Sequence, residues 1–415
     1  MKQLEKELSN SIHWEETYER IILKQNISKE DKDLLWKLKE IYKNDIINEI
    51  MSGTYEWSIP RKVEIAKHEN SKKRVVYIYN IKDRYILGVL YRAISEYYKG
   101  DITCACFSYK KGTSTSNAIQ YIKDKRTESL KYGVKVDIHA YFNSVNKEKV
   151  ISMINELFSG GIKETIEKLM LNDTVLWKGK EIQEWKALIP GCALGSFFAN
   201  WCLKQVDEHF IFNNKIYARY SDDIIIIEES KEELQKDLNI LIFYLNKYGL
   251  TINKDKYTWF EPGDSINFLG LKLDDKGTID ISDHAKQKIK KQIHRWCRKG
   301  RIEIERDNIS FYIVAKRVIR KINNKNLFCA INNDSSFGWA MYAFPRITTT
   351  ETLKEIDLYT KDTIRAMKTG KHNKANYKKM TEDEFHQLGW ISLVQMYYLY
   401  KNDYDYFMEI IELLR

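Results

Sequence analysis

Apolar positions recur along the chain with two periods. RVVYIYNI (74–81), YGVKVDI (132–138), KIYARYSDDIIIIEES (215–230) and SINFLGLKL (265–273) carry β-branched and aromatic residues at the density of strands. Between them the spacing opens to that of helices: Leu234, Leu238, Leu241 and Leu245 line one face of residues 231–248. Ser28, followed three residues later by Asp31, opens another helix with capping chemistry. Leu34, Leu35, Leu38, Ile41 and Tyr42 give it an apolar face, and Gly53 a stop. After about Ser282 the pattern turns mainly helical. These elements predict an α+β core followed by a helical C-terminal subdomain.

The 415 residues leave room for two or three subdomains, and 43% hydrophobic with 30% charged residues is an ordinary globular balance. Prolines stand only at 60, 190, 262 and 345, and no Gly/Ser-rich linker, repeat or low-complexity tract interrupts the chain. No run approaches the roughly twenty apolar residues of a membrane span, and MKQLEKELSN lacks the apolar core of a secretory signal. A cytoplasmic protein without a membrane partner is expected. Six cysteines with no second pair at zinc-finger spacing beside Cys104 and Cys106 predict reduced core thiols. The net charge of +10 changes the picture more, because it is concentrated. Residues 286–325 hold 14 Lys/Arg against 3 Asp/Glu, the footprint of a phosphate-backbone binder or of a solvated helix face.

Asp222 and Asp223 sit between two strand-like runs, and Asp137 ends a third, VKVD. An Asp-Asp pair alone is ordinary turn chemistry. Acids crowded at the mouth of a hydrophobic hairpin are costly unless a cation is bound. Carboxylates from neighbouring strands are what phosphoryl transfer with two Mg²⁺ ions requires.

Several motifs then fall in one order. YSDD (220–223) resembles the Y/F-x-D-D box of reverse transcriptases, and VDIHAYFNSV (136–145) their first palm motif. The resemblance implies Asp137, Asp222 and Asp223 as catalytic metal ligands, joined by the Ile138 carbonyl, for two Mg²⁺ with Mn²⁺ as a substitute. It implies Phe142 as the ring that excludes a 2′-hydroxyl. IPGCALGSFFANWCL (189–203) is similar to the box that contacts template and incoming nucleotide, with Gly191, Ala199 and Asn200 matching; Pro190, Gly195 and Ser196 depart from it. YGLTINKDK (248–256) resembles the family's next box, which implies Lys256 as proton donor to pyrophosphate, and NFLG (267–270) resembles a primer-grip hairpin with Gly270 allowing close approach. Upstream, Lys67 and Arg74 match residues that hold the triphosphate; Asp83-Arg84 and SYKKGTSTSNAI (108–119) resemble segments of intron- and retron-type enzymes. The resemblance spans roughly residues 55–275. It implies a right-hand polymerase fold: an N-terminal helical extension (1–55), fingers (56–135), a palm with an antiparallel sheet and a fingers insertion (136–280) and a helical thumb (281–415). The implied partners are dNTPs, an RNA template and a DNA product.

In the basic stretch, Ile281, Ala285, Ile289, Ile293 and Trp296 recur at helical spacing, with Lys286, Lys290, Arg295 and Arg298 expected on the outer face. At the thumb's position such a face suits a template–product duplex, held through sugar and phosphate. GWAMYAFPRITTTETLKEID (338–357) and LGWISLVQMYY (388–398) resemble the helical C-termini of bacterial defence-associated reverse transcriptases. A structured noncoding RNA template and an antiviral role follow as expectations, with the oligomeric state open. A protein-primed or template-independent polymerase and an intron-type maturase are the alternatives. A non-enzymatic RNA scaffold is disfavoured by the three intact acids.

Overall fold

Strands form where β-branched and aromatic residues are densest. In the unit spanning Met1–Glu261 they are β1 (Arg61–Ala66), β2 (Lys73–Ile78), β3 (Tyr132–Asp137), β4 (Thr174–Trp177), β5 (Lys180–Gln183), β6 (Ile216–Tyr220), β7 (Asp223–Glu228) and β8 (Thr258–Phe260). The unit spanning Pro262–Arg415 adds β9 (Ile266–Phe268), β10 (Leu271–Leu273) and β11 (Ile279–Ile281). This computed structural model describes residues 2–23, 27–66, 73–125, 132–253, 257–327, 338–372, 376 and 380–413. Helices separate the strands, so the chain is α+β, and its sheets are predominantly antiparallel.

The sheet that carries the acids runs β6-β7-β3-β8, antiparallel throughout. Ile224, Ile225, Ile226 and Ile227 on β7 are all buried. Consecutive apolar residues on one strand require cover on both faces, and the helix Lys231–Lys247 packs on β7 and β3 from one side. That helix starts where Ser230 accepts from the Glu233 N–H at 3.2 Å. Gly133 on β3 faces Phe260 of β8, and a Cβ there would lie 1.9 Å from the ring. The missing side chain makes room for the aromatic cap.

A second sheet, β2-β1-β4-β5, joins β1 to β4 in parallel at Arg61 and Leu176. The helix expected across 27–53 is two helices, Lys29–Glu40 and Lys43–Ser52. Ile41 and Tyr42, predicted on an apolar face, are exposed at the break. Turning the chain there sends Ile46, Ile47 and Ile50 into the core instead. Gly53 ends the second helix at φ +80°. The helix Ile81–Tyr97 is the hub for the N-terminal helices, and Tyr85 Oη donates to Trp14 O at 3.0 Å.

In the second unit, β9, β10 and β11 form an antiparallel meander. Ile281 belongs to β11 and not to the helix that follows, because Ser282 caps that helix, Asp283–Asp307, by accepting from Ala285 N–H at 3.3 Å. The helix buries Ile293, Cys297 and Gly300 and packs on Phe311–Leu327 and Glu351–Thr369. Among the described residues the cysteines are free thiols; four are buried, and Cys104 is exposed, unlike the core position expected for it. No described helix is long and apolar enough to cross a membrane.

Candidate active site

The register of β3 and β7 sets Asp137 directly opposite Asp223. Tyr220 and Asp223 close the β6–β7 hairpin, leaving Ser221 and Asp222 as its turn. Ile138 N–H donates to Asp222 O at 3.0 Å, which ties the turn to the end of β3. Asp137 is buried, its Oδ2 accepting from Asn253 Nδ2 at 3.0 Å and its carbonyl from Asn253 N–H at 2.7 Å. Asp222 and Asp223 are half-buried, and Lys135 Nζ lies 3.5 Å from Asp223 Oδ1. Three acids thus meet at one sheet end. Among the described residues, however, no three His, Cys, Asp or Glu side chains form a ready-made metal cage.

Phe142 stands half-buried on the short helix Tyr141–Ser144, its ring edge-on to Tyr109 at 6.1 Å and 84°. Its neighbour Tyr141 is buried, with its hydroxyl donated to Ala199 O. Phe142 O accepts from Leu188 N–H at 3.0 Å, and Pro190 O accepts from Tyr77 N–H at 2.8 Å. The loop 186–191 therefore spans from the Phe142 helix to β2. Gly191 in that loop has φ +96°, where a side chain is strained. Gly195, a departure from the family box, is required here by packing: a Cβ would lie 2.0 Å from Leu188 O. Arg74 is exposed on β2. Lys67 and Lys256 lie outside the described residues.

Asn200, which the resemblance matched to a nucleotide-contacting position, is turned inward. It is buried, its Nδ2 donating to Ser108 O at 2.6 Å while its Oδ1 accepts from Ser108 Oγ at 3.2 Å and Arg219 Nη1 at 3.3 Å. Its amide is engaged inside the protein, beneath the YSDD turn.

Residues 65–273, half of the chain, match the family model "Reverse transcriptase (RNA-dependent DNA polymerase)". The chain belongs to this family. A stretch of 75 residues is 36% identical to the "Enzymatic polyprotein" of Soybean chlorotic mottle virus, covering 18% of this chain and 10% of that protein. The chain thus matches about a tenth of that curated relative's length. Among solved structures it is similar to apo telomerase from Candida tropicalis truncated from its C-terminal domain, with a TM-score of 0.43, 13% identity and 55% of each chain covered.

In the second unit of this reverse transcriptase, Leu269 and Gly270 turn β9 into β10 with φ +52° and +80°, the positive pair that a two-residue hairpin favours. Lys286 and Lys290 are not on the free outer face expected for them. Both reach Glu355 on the neighbouring helix, at 2.9 and 2.5 Å, and Lys286 also meets Asp283 at 3.0 Å. Their positions border the seam with that helix, so their charges are balanced within the protein. Arg295 and Arg298 are exposed. Residues missed as site members are Ser108, Tyr109, Asp207 and Arg219. The signal available was an arginine embedded in the apolar strand IYARY immediately before YSDD; a charge there needs a buried partner.

Proposed function

We propose that this reverse transcriptase is an RNA-directed DNA polymerase whose active site is built on Asp137, Asp222 and Asp223. The observation that carries the reading is the β3–β7 register, which puts Asp137 opposite Asp223 with Asp222 in the adjoining turn. Hard carboxylate oxygens gathered at one sheet end fit Mg²⁺, or Mn²⁺ in its place. Two such ions bound by these acids and the Ile138 carbonyl would supply an activated 3′-hydroxyl and stabilise the leaving pyrophosphate. The chain's own groups do the rest. Asn253 fixes the Asp137 carboxylate, Phe142 is the proposed ring that screens the sugar, and Arg74, exposed on β2, is proposed to hold the triphosphate with Lys67. Lys256 is the proposed proton donor to pyrophosphate. Gly191 shapes the loop beside the nucleotide, and Gly270 the primer-side hairpin.

The template we assign is a structured noncoding RNA, and the setting cytoplasmic bacterial antiviral defence. The C-terminal resemblance and the exposed Arg295 and Arg298 favour this reading. The test is the double variant Asp222→Asn with Asp223→Asn. It is expected to abolish Mg²⁺- or Mn²⁺-dependent dNTP incorporation on primed RNA while RNA binding stays near wild type, because the acids serve chemistry and exposed cations serve affinity. Undiminished incorporation by the double variant refutes the site.

A further inference from the structure

Beneath the Ser221–Asp222 turn lies a buried ionic cluster that the proposed chemistry does not use. Arg219 and Asp207 are 0% and 1% exposed. Arg219 Nε donates to Asp207 Oδ1 at 2.8 Å and Nη2 to Oδ2 at 2.6 Å, a two-pronged pair. Tyr217 Oη donates to the same Oδ1 at 2.8 Å. Burying two charges carries a desolvation cost that apolar residues of similar volume avoid, so stability alone is a poor reason for this pair.

Its other contacts point at the turn. Arg219 Nη1 donates to Ser221 O at 3.4 Å and to Asn200 Oδ1 at 3.3 Å. Asn200 and Ser108 are bonded to each other twice, and Ser108 Oγ accepts from Ser221 N–H at 2.8 Å. Both backbone polar groups of Ser221 are therefore held by side chains, the N–H by Ser108 from a distant segment and the carbonyl by Arg219 two residues before it. Ser221 has φ +60°, a conformation a non-glycine residue keeps only when its surroundings enforce it. The Arg219 backbone is pinned as well, to Ala105 O and Phe107 N–H, each at 2.9 Å.

We infer that the Arg219–Asp207 pair, acting through Asn200 and Ser108, is a positioning device that holds Ser221 in its left-handed conformation. It thereby sets where the Asp222 and Asp223 carboxylates stand for a divalent cation. The inference rests on the proposed role of those two acids as metal ligands. All four supporting residues are buried, so they act through the turn.

The test uses the full chain and Mn²⁺ alone as probe, free Mn²⁺ being read by electron paramagnetic resonance, followed by dNTP kinetics on primed RNA. Ser108→Ala removes the acceptor of the Ser221 N–H at little change in volume. Asp207→Asn with Arg219→Gln neutralises the pair. Each is expected to weaken Mn²⁺ binding and lower kcat by about 10- to 100-fold, the usual result of losing groups that orient metal ligands. KM for the primed template should not move. Ile166→Ala, a core truncation on the helix Gly160–Met170, should lower Tm and leave Mn²⁺ affinity unchanged, which separates positioning from general destabilisation. Unchanged Mn²⁺ affinity in Ser108→Ala overturns the inference, whether or not the neutral pair folds. A wild-type chain that binds Mn²⁺ at Asp222 and Asp223 yet extends no primer would overturn the proposed polymerase function instead.

Discussion

Replacing Phe142 by valine separates the sugar-screening role from core packing. The ring lies edge-on to Tyr109 at 6.1 Å and to Tyr141 at 5.7 Å. At about 0.5–1.5 kcal/mol for each aromatic pair, the two ring contacts alone account for about 1–3 kcal/mol of the stability the variant should lose. The backbone link from Leu188 N–H to Phe142 O is independent of the side chain, so the loop 186–191 keeps its anchor. A hydrophobic wall discriminates against an added hydroxyl by about 100-fold at most. Opening it should therefore change the ratio of kcat/KM for dNTP over rNTP by about 10- to 100-fold, or about 1.4–2.7 kcal/mol. The assay is single-nucleotide extension of one primed RNA with matched dNTP and rNTP series, below the variant's Tm. Tyr141→Phe is the control: its hydroxyl is donated to Ala199 O in the core, so it should lower Tm and leave sugar preference alone. An unchanged preference in an active Phe142→Val enzyme, or a change confined to Tyr141→Phe, would refute the assignment.

Three further outcomes are expected. Arg295→Ala with Arg298→Ala should weaken RNA binding and reduce the log–log salt slope by about 0.7–0.9 for each phosphate no longer neutralised, read from titrations at several salt concentrations; Lys286→Ala and Lys290→Ala, whose charges pair with Glu355, should change the slope little. Gly133→Ala forces a Cβ to within 1.9 Å of the Phe260 ring and should cost about 1–3 kcal/mol in denaturant melts, with Phe260→Leu restoring part of it. Burial pulls the Lys186 ammonium down to about 8 from 10.5. The unfolded chain then holds that proton across pH 8–10.5 while the folded chain does not, so this group makes stability rise with pH through that window. Lys186→Met should flatten the rise and be the more stable protein at pH 7 by about 1–2 kcal/mol after solvent screening is allowed for; an equal slope in both proteins would contradict the burial argument.

The acids, the strands that carry them and the helix Lys231–Lys247 were legible in the sequence, because each depends on local pattern. Four isoleucines after Asp-Asp demand a covered strand, and leucines at 234, 238, 241 and 245 demand a helix to cover it. Motif order along the chain likewise carried the family. What the sequence left undecided were partners. Nothing local distinguishes Lys286 and Lys290, which turn to Glu355 some 70 residues away, from Arg298, which does not; helical period assigns a face but not what that face meets. Ile41 and Tyr42 satisfied the apolar period and still came out exposed, because the chain breaks there and three later isoleucines take the core positions. Asn200 matched a nucleotide-contacting position, yet the buried guanidinium of Arg219 and the hydroxyl of Ser108 claim its amide. That Asp137 faces Asp223 also rests on strand register, a non-local property fixed only when one buried face must align with another. Local periodicity selects elements; long-range charge pairing and register, which reward contacts between distant residues, decide what the elements do together.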